Sequence, residues 1–142
     1  MNDRVFVDTN VLVYAHDVSA GAKHDRARQL VEELWESGSG VLSTQVLQEL
    51  CINVRRKVKN PLSVKETHSL LQDYLNWKIV VNDAAAVVQA LEIEERYHIS
   101  FWDALILHAA EYAGADVVYS EDLAGGQRYG SLRVQNPFAD LR

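Results

Sequence analysis

The helix and strand that decide the fold lie in the stretch SFWDALILHAAEYAGADVVYS, residues 100–120. Apolar residues at helical spacing predict a helix over 101–113 with one buried face: Trp102, Leu105, Ile106, Ala109, Ala110 and Ala113. Gly114 ends this helix, and the apolar run 115–119 that follows predicts a strand. Because the connecting turn is short, the helix and the strand must run antiparallel. The first turn of the helix therefore lies near the edge of the sheet where the strand ends.

Strand-like and helix-like segments alternate along the rest of the chain. Short apolar runs predict strands at 5–7, 41–42, 79–81 and 132–134. Helical periodicity predicts helices at about 22–37, 47–54, 63–75 and 83–97. This alternation is typical of a parallel α/β sheet that is covered by helices on both faces.

Size and composition restrict the class of protein. The chain has 142 residues, 48% hydrophobic and 24% charged, which predicts one domain over 1–142 and excludes disordered and low-complexity classes. Charged or amide residues interrupt every apolar run before the roughly 18 residues that cross a bilayer, so we expect no membrane span. Asp8 spoils a secretory leader, and a single cysteine excludes an internal disulfide. We therefore expect a cytoplasmic protein.

The net charge limits how the chain can bind a nucleic acid. Lys and Arg total 14 against 20 Asp and Glu, which gives a net charge of −6. A protein that binds nucleic acid mainly by neutralising phosphates is basic. Either this chain avoids nucleic acid, or part of its acid excess is clustered to hold cations.

Four carboxylates are expected to meet at one edge of the sheet, where functional residues of such folds gather. Asp8 follows the first strand, Glu49 lies early in the helix after the second, and Asp122 follows the fourth. Asp103 joins them through the antiparallel helix. Four neighbouring carboxylates cannot all stay ionised without cations, and their oxygens suit Mg²⁺ or Mn²⁺. Such ions activate water and stabilise in-line attack on a phosphodiester.

Each of these acids also has a purely structural interpretation. Asp8 can cap the helix that follows it, and Asp103 can complete a capping box with Ser100. Glu49 can be a solvated helix residue, and Asp122 a turn residue. The shared edge favours the functional interpretation, because independent structural acids have no reason to converge there.

Four short motifs surround the acids. They are Val5-Phe6-Val7-Asp8-Thr9-Asn10, Gln48-Glu49-Leu50, Phe101-Trp102-Asp103-Ala104-Leu105-Ile106 and Tyr119-Ser120-Glu121-Asp122-Leu123. Together they resemble the PIN-domain ribonucleases, and most of all the toxins of the Vap-type toxin–antitoxin pairs. The resemblance covers essentially the whole chain. It implies a three-layer α/β/α sandwich with a mostly parallel sheet, a Mg²⁺- or Mn²⁺-dependent endoribonuclease, a neutralising antitoxin and a homodimer.

The resemblance also assigns roles to individual residues. It implies catalytic and metal-binding roles for four acids and supporting roles for two polar residues: Asp8, Glu49, Asp103 and Asp122, then Asn10 and Ser120. Glu121 departs from the family pattern, because it adds a second acid to the turn. We favour Asp122 as the acid that faces the metal, since it is third in the Ser-x-Asp turn.

RNA would also need a positive surface. The dense basic stretch consists of Arg55, Arg56, Lys57 and Lys59, at the end of the helix that carries Glu49. These cations either complement the helix dipole in solvent or bind phosphates. We interpret the aromatic and imidazole rings of Tyr14, His16, Trp35 and Trp77 as packing residues rather than base-stacking platforms.

Three other hypotheses stay open. A receiver-type signalling module is also α/β with an acidic Mg²⁺ pocket, but it needs adjacent acids after strand one and a lysine after the last strand, and neither is present here. A catalytically dead PIN-like binding module is argued against by the intact set of acids. A DNA-directed or structure-specific nuclease is the alternative within the enzymes, because no residue recognisably reads a 2′-hydroxyl.

Overall fold

The computed structural model describes residues 3–123 and 126–141, so both ends of the predicted domain, residues 1–2 and 142, lie outside the described residues, as do 124–125. The strands of this described part are Val5–Val7 (β1), Gly40–Ser43 (β2), Lys78–Val80 (β3), Val117–Tyr119 (β4), Arg128–Tyr129 (β5) and Leu132–Gln135 (β6). They form one sheet in the order β3-β2-β1-β4-β6-β5.

The pairing of the strands sets the direction of the sheet. β1 is parallel to both of its neighbours, with Val5 level with Gly40 of β2 and with Val117 of β4. β2 and β3 are also parallel, as are β4 and β6, and β5 pairs antiparallel with β6. The predicted mostly parallel sheet is confirmed.

Helices flank this sheet. Those in the described residues are Thr9–Ala15 (α1), Ala22–Ser37 (α2), Thr44–Arg56 (α3), Val64–Tyr74 (α4), Ala84–Tyr97 (α5) and Phe101–Tyr112 (α6), with a short 3₁₀ helix at Val18–Ala20. The expected α/β/α sandwich is therefore confirmed. In the part of the chain that the structure describes, no helix has the length and apolar character that would let it cross a membrane.

Side-chain caps begin most of these helices. Asp8 caps α1, Ser43 caps α3 and Asp83 caps α5. Ser63 and Glu66 form a complete capping box at the start of α4. These caps satisfy amide groups that have no partner inside the helix, so the starts of the helices are well determined by sequence.

The core lies between the sheet and the helices. A cluster of three aromatic rings forms its border beside β2 and β3. The rings of Trp35, Tyr74 and Trp77 pack at centroid distances of 5.1–5.5 Å, which agrees with a packing role for both tryptophans. Gly40 makes room for this group, because a Cβ there would lie 2.4 Å from two carbons of the Trp77 indole. The glycine is required by space rather than by backbone conformation.

Three sequence expectations differ from the structure. The periodicity analysis did not predict α1 or β5, since α1 has seven residues, several of them β-branched, and β5 has two. Trp102 was expected on the buried face of α6, but its side chain is 62% exposed. It is the second residue of α6, and the fully buried residues of that helix begin at Ala104.

Candidate active site

The carboxyl ends of β1 and β4 meet in the middle of the sheet, at the position where α/β folds form a ligand-binding crevice. From β1 the chain extends the sheet towards β2 and β3, and β4 pairs on the opposite side of β1. The order of the strands therefore reverses between β1 and β4, and ligands of α/β sheets bind at such a reversal. Asp8 follows β1, and its amide donates to the carbonyl of Tyr119 at the end of β4 (2.9 Å). Asp8 and Ser120 thus face each other across the crevice.

The Asp8 carboxylate is buried and held by two hydrogen bonds. Oδ1 accepts from the Thr9 amide at 2.7 Å, and Oδ2 accepts from Ser120 Oγ at 2.8 Å. Burial raises the pKa of Asp8 from 3.8 to about 6, although both hydrogen bonds lower it. The negative charges of Glu49 and Asp122 add to the rise. Asp8 does cap α1, and it is also the most desolvated acid of the group.

Ser120 organises the turn after β4. Its side chain is completely buried, and Oγ accepts from the amides of Asp122 and Leu123, each at 3.2 Å, while donating to Asp8. One hydroxyl thereby connects the ends of both strands. This geometry agrees with a supporting role for Ser120.

The two neighbouring acids of the turn have different partners. Asp122 Oδ2 accepts a 2.6 Å hydrogen bond from Asn10 Nδ2. Glu121 accepts at 2.8 Å from the hydroxyl of Tyr14 and forms an ion pair with Lys23. Burial alone would raise the pKa of Glu121, but the bonds from Lys23 and Tyr14 outweigh it and hold that pKa below its ordinary value. Glu121 is neutralised by its own partners, which leaves Asp122 as the acid of this turn that faces the crevice.

Asp122 interacts with the acid from α6. Its pKa is raised, first by desolvation and then by the negative charges of Asp103 and Glu121, against the lowering effect of Asn10. Asp103 lies in the first turn of α6, where Ser100 Oγ accepts from its amide at 3.1 Å. Among the described residues, the Ser100 amide does not donate to the Asp103 carboxylate, in contrast to the complete box at α4. The capping interpretation of Asp103 is therefore only half fulfilled.

Glu49 joins the group through Thr9. Glu49 lies on an exposed part of α3, and its Oε1 accepts from Thr9 Oγ1 at 3.1 Å. Thr9 follows Asp8 in sequence, so one dipeptide supplies Asp8 and also contacts Ser120 and Glu49.

The four acids interact electrostatically without forming a ready-made cage. Asp8 is affected by Glu49 and Asp122, and Asp122 by Asp103. Within residues 3–123 and 126–141, no three His, Cys, Asp or Glu side chains lie close enough together to hold one metal ion. Mg²⁺ commonly binds through one or two carboxylates and keeps several waters. The all-oxygen donor set and the mutual repulsion of these acids therefore fit a hydrated divalent ion.

The predicted basic stretch lies away from this group. Arg56, Lys57 and Lys59 are exposed, and Arg55 is half-buried, at the end of α3. Glu49 and Arg55 are six residues apart on one helix, which corresponds to about 9 Å along its axis. These cations are separate from the carboxylate group and extend from it along α3 towards the end of that helix.

Sequence reasoning missed three polar residues that the structure brings to the site. Thr9 and Lys23 hold Glu49 and Glu121, as described above. Gln45 is buried one turn before Glu49, and its Nε2 donates to the carbonyl of Trp102 at 3.3 Å, next to Asp103. Its spacing of four residues from Glu49 was the available signal, since residues i and i+4 share a helix face.

Comparison with known families agrees with this geometry. The family model of the PIN domain matches residues 5–124. The chain belongs to the PIN domain family. No curated protein sequence matches it significantly.

Solved structures share the PIN fold seen here. VapC20 of Mycobacterium tuberculosis, a toxin that cleaves the sarcin-ricin loop, is 22% identical with a TM-score of 0.64, over 84% of this chain and 90% of that chain. VapBC2 of Rickettsia felis, bound to a DNA fragment from their promoter, is 24% identical with a TM-score of 0.64, over 93% and 97%. A toxin–antitoxin complex from Klebsiella pneumoniae is 15% identical with a TM-score of 0.68, over 94% and 97%. At these identities the likeness concerns the fold.

The receiver-type hypothesis is wrong. Receiver-type sheets have the strand order 2-1-3-4-5. In this PIN domain β1 lies between β2 and β4 instead. The PIN family match also covers Asp8 near its beginning and Asp122 near its end.

Proposed function

We propose that this PIN domain is an endoribonuclease that hydrolyses RNA phosphodiester bonds with Mg²⁺ or Mn²⁺, as the toxin of a type II toxin–antitoxin pair. The observation that carries the proposal is the buried Asp8 carboxylate at the strand reversal, repelled by Glu49 and Asp122. A desolvated carboxylate among like charges gains most from a bound cation. The proposed catalytic and metal-binding residues are Asp8, Glu49, Asp103 and Asp122, and the supporting residues are Asn10 and Ser120.

A divalent ion held by these carboxylates would supply a water of lowered pKa and electrostatic stabilisation of a phosphate under in-line attack. The chain's own groups set the geometry. Ser120 and the Thr9 amide fix the orientation of Asp8, and Thr9 Oγ1 engages one oxygen of Glu49. The first turn of α6 presents the positive end of a helix dipole beside Asp103, where an anionic phosphate is favoured.

RNA as the substrate is supported by the fold shared with VapC20, which cleaves the sarcin-ricin loop. We propose that Arg55, Arg56, Lys57 and Lys59 contact more distant phosphates of a bound strand. The cytoplasm is the proposed place of action.

A cognate antitoxin is the proposed protein partner, in line with the toxin–antitoxin complexes of the same fold. An arginine of that partner can pair bidentately with a carboxylate of the site and exclude the metal. Asp122 and Asp103 are more accessible to it than Asp8, which is 8% exposed. The proposal also includes a homodimer, for which the exposed side chains of Val87, Val88 and Leu91 on α5 offer an apolar surface.

Incubation of the purified protein with total RNA, with and without Mn²⁺, tests the proposal. We expect cleavage that needs the ion, with defined ends when the products are mapped. Single-stranded and duplex DNA are incubated in parallel. Cleavage of DNA alone would establish the alternative nuclease, and binding of Mn²⁺ by calorimetry without cleavage of either polymer would indicate a binding module.

A further inference from the structure

Trp102 is an exposed aromatic ring beside the carboxylate group, and its side chain has no part in the core or in the chemistry proposed above. It is the second residue of α6, directly before Asp103, and its side chain is 62% exposed. Its aromatic neighbour among the described residues is Phe101, with 5.2 Å between ring centroids. Trp35, by comparison, packs against both Tyr74 and Trp77.

The backbone of Trp102 is anchored at the site. Its carbonyl accepts the hydrogen bond from Gln45, which lies one turn before Glu49 on α3. The residue therefore lies where the helix of Glu49 meets the helix of Asp103. A ring on an ordered helix with a fixed backbone loses little conformational freedom when a ligand binds to it.

The charge of the chain leaves little electrostatic attraction for an RNA strand. The net charge is −6, and Lys23, a cation that contacts the turn carrying Asp122, is already paired with Glu121. Phosphates approaching the site meet mainly carboxylates, apart from any bound cation. The basic stretch 55–59 is left for more distant phosphates, so affinity close to the carboxylates must come largely from contacts that do not depend on charge.

We propose that Trp102 is a stacking platform for one unpaired base of the RNA, next to the phosphodiester bond that the carboxylates act on. This inference rests on the proposed ribonuclease function and adds the contact that binds the strand. Every base has a face that can stack, so the platform binds single-stranded RNA with little sequence preference. Stacking on an aromatic side chain contributes about 1–3 kcal/mol per base.

The test compares Trp102→Ala and Trp102→Phe with Tyr112→Ala, in which an even more exposed aromatic ring is removed at the other end of α6. That ring is ten residues further on, about 15 Å along the helix. Fluorescence anisotropy with a short labelled oligoadenylate measures binding in an Asp8→Asn background, which prevents cleavage. An abasic oligomer of equal length is the second probe.

We expect Trp102→Ala to weaken oligoadenylate binding about 5- to 150-fold, the factor that corresponds to 1–3 kcal/mol, and Trp102→Phe to retain most of the affinity. The slope of affinity against salt should stay the same, because no charge is lost. Tyr112→Ala should bind as the parent protein does, and the abasic oligomer should bind equally weakly to all variants.

Unchanged affinity in Trp102→Ala, in a protein that still cuts RNA, overturns the stacking platform and leaves the proposed function standing. Failure of the wild-type protein to cut any RNA removes the proposed function and the platform with it. Sedimentation is measured on the same variants. A dimer that Trp102→Ala converts to monomer, with RNA affinity unchanged, would assign the ring to contacts between copies instead.

Discussion

Asn10 donates a 2.6 Å hydrogen bond to Asp122, a residue 112 positions further along the chain. One turn later on the same helix, Tyr14 donates to Glu121 at 2.8 Å. The short helix α1 therefore distinguishes two adjacent acids by giving each a different partner. The amide of Asn10 leaves the charge of Asp122 in place, whereas Lys23 neutralises that of Glu121.

This distinction predicts different effects for two similar substitutions. Asp122→Asn should abolish RNA cleavage and weaken Mn²⁺ binding, because it removes a charge from the proposed site. Glu121→Gln should keep most of the cleavage activity and of the Mn²⁺ affinity. It should lower the free energy of unfolding by less than about 1 kcal/mol, since the pair with Lys23 is partly exposed. Calorimetric titration with Mn²⁺ and urea unfolding measure the two effects. Loss of metal binding in Glu121→Gln alone would reverse the assignment.

Asp8→Asn should abolish cleavage and stabilise the metal-free protein near neutral pH. The folded-state pKa of about 6 lies above the ordinary 3.8, so the folded protein binds a proton that the unfolded chain has released. Stability is therefore lost as pH rises between these two values, by up to about 3 kcal/mol, and asparagine escapes this loss. Asparagine caps helices as well as aspartate does.

Urea unfolding in a chelator, at about pH 4 and about pH 7, follows the pKa shift of Asp8. We expect the free energy of unfolding of Asp8→Asn to increase relative to that of the wild type as pH rises. An equal loss of stability at both pH values would mean that the carboxylate is favourable in the fold, and wild-type cleavage by the variant would contradict its catalytic role.

Asp103→Asn separates a helix-cap role from a ligand role. Its carboxylate makes no reciprocal cap bond, so only its interaction with the helix dipole remains, about 0.3–1 kcal/mol. We expect lost turnover and weaker Mn²⁺ binding with a stability change no larger than that. Thermal unfolding and cleavage assays on the same preparation measure both, and a stability loss with normal cleavage would restore the cap interpretation.

Inhibition by the antitoxin should depend on the accessible acids. Asp103→Asn and Asp122→Asn should each weaken its binding about 10- to 100-fold, the range for hydrogen bonds to charged groups. Glu32→Gln is the control, because Glu32 is an exposed acid on α2 paired with Arg28 at 3.0 Å. The small partner is recovered by pull-down from the native host, and its affinity for each variant is measured. Equal affinities throughout would place the inhibitor on another surface.

Gly40→Ala should destabilise the fold by about 1–3 kcal/mol through overpacking. The new Cβ would meet the Trp77 indole at 2.4 Å, so Trp77→Leu in the same chain should recover part of the loss. Urea unfolding of the two single variants and the double variant gives the coupling. Additive losses would show that the contact with Trp77 is not the cause.

Most of the fold could be predicted from sequence because its elements carry local signals. The strand 5–7 and the helix that starts after Asp83 were predicted at their observed positions, since a buried run and an N-cap are read within a few residues. The helix α1 was not, because seven residues rich in valine give no helical period. Its one local signal is the N-cap Asp8, and in the structure the helix packs against α2 and α3.

The site was only partly predictable for a related reason. The four acids Asp8, Glu49, Asp103 and Asp122 could be placed at one edge of the sheet from the direction of strands and helices alone. The roles of Glu121 and Gln45 depend on side chains that are distant in sequence, and the exposure of Trp102 depends on where the covering layer ends. Periodicity describes one helix at a time and carries no information about such boundaries.

The seven residues of α1 have a consequence for how the protein can be switched off. This helix and its N-cap bond to α3 and to the turn after β4, but not to α6. The side chains involved are Asp8, Thr9, Asn10 and Tyr14. Val11 and Leu12 of the same helix are completely buried in the core, so the helix cannot open while the core stays intact. We therefore expect inactivation by a partner that covers the site rather than by local unfolding, and amide protons of α1 should exchange with solvent at the rate of global unfolding.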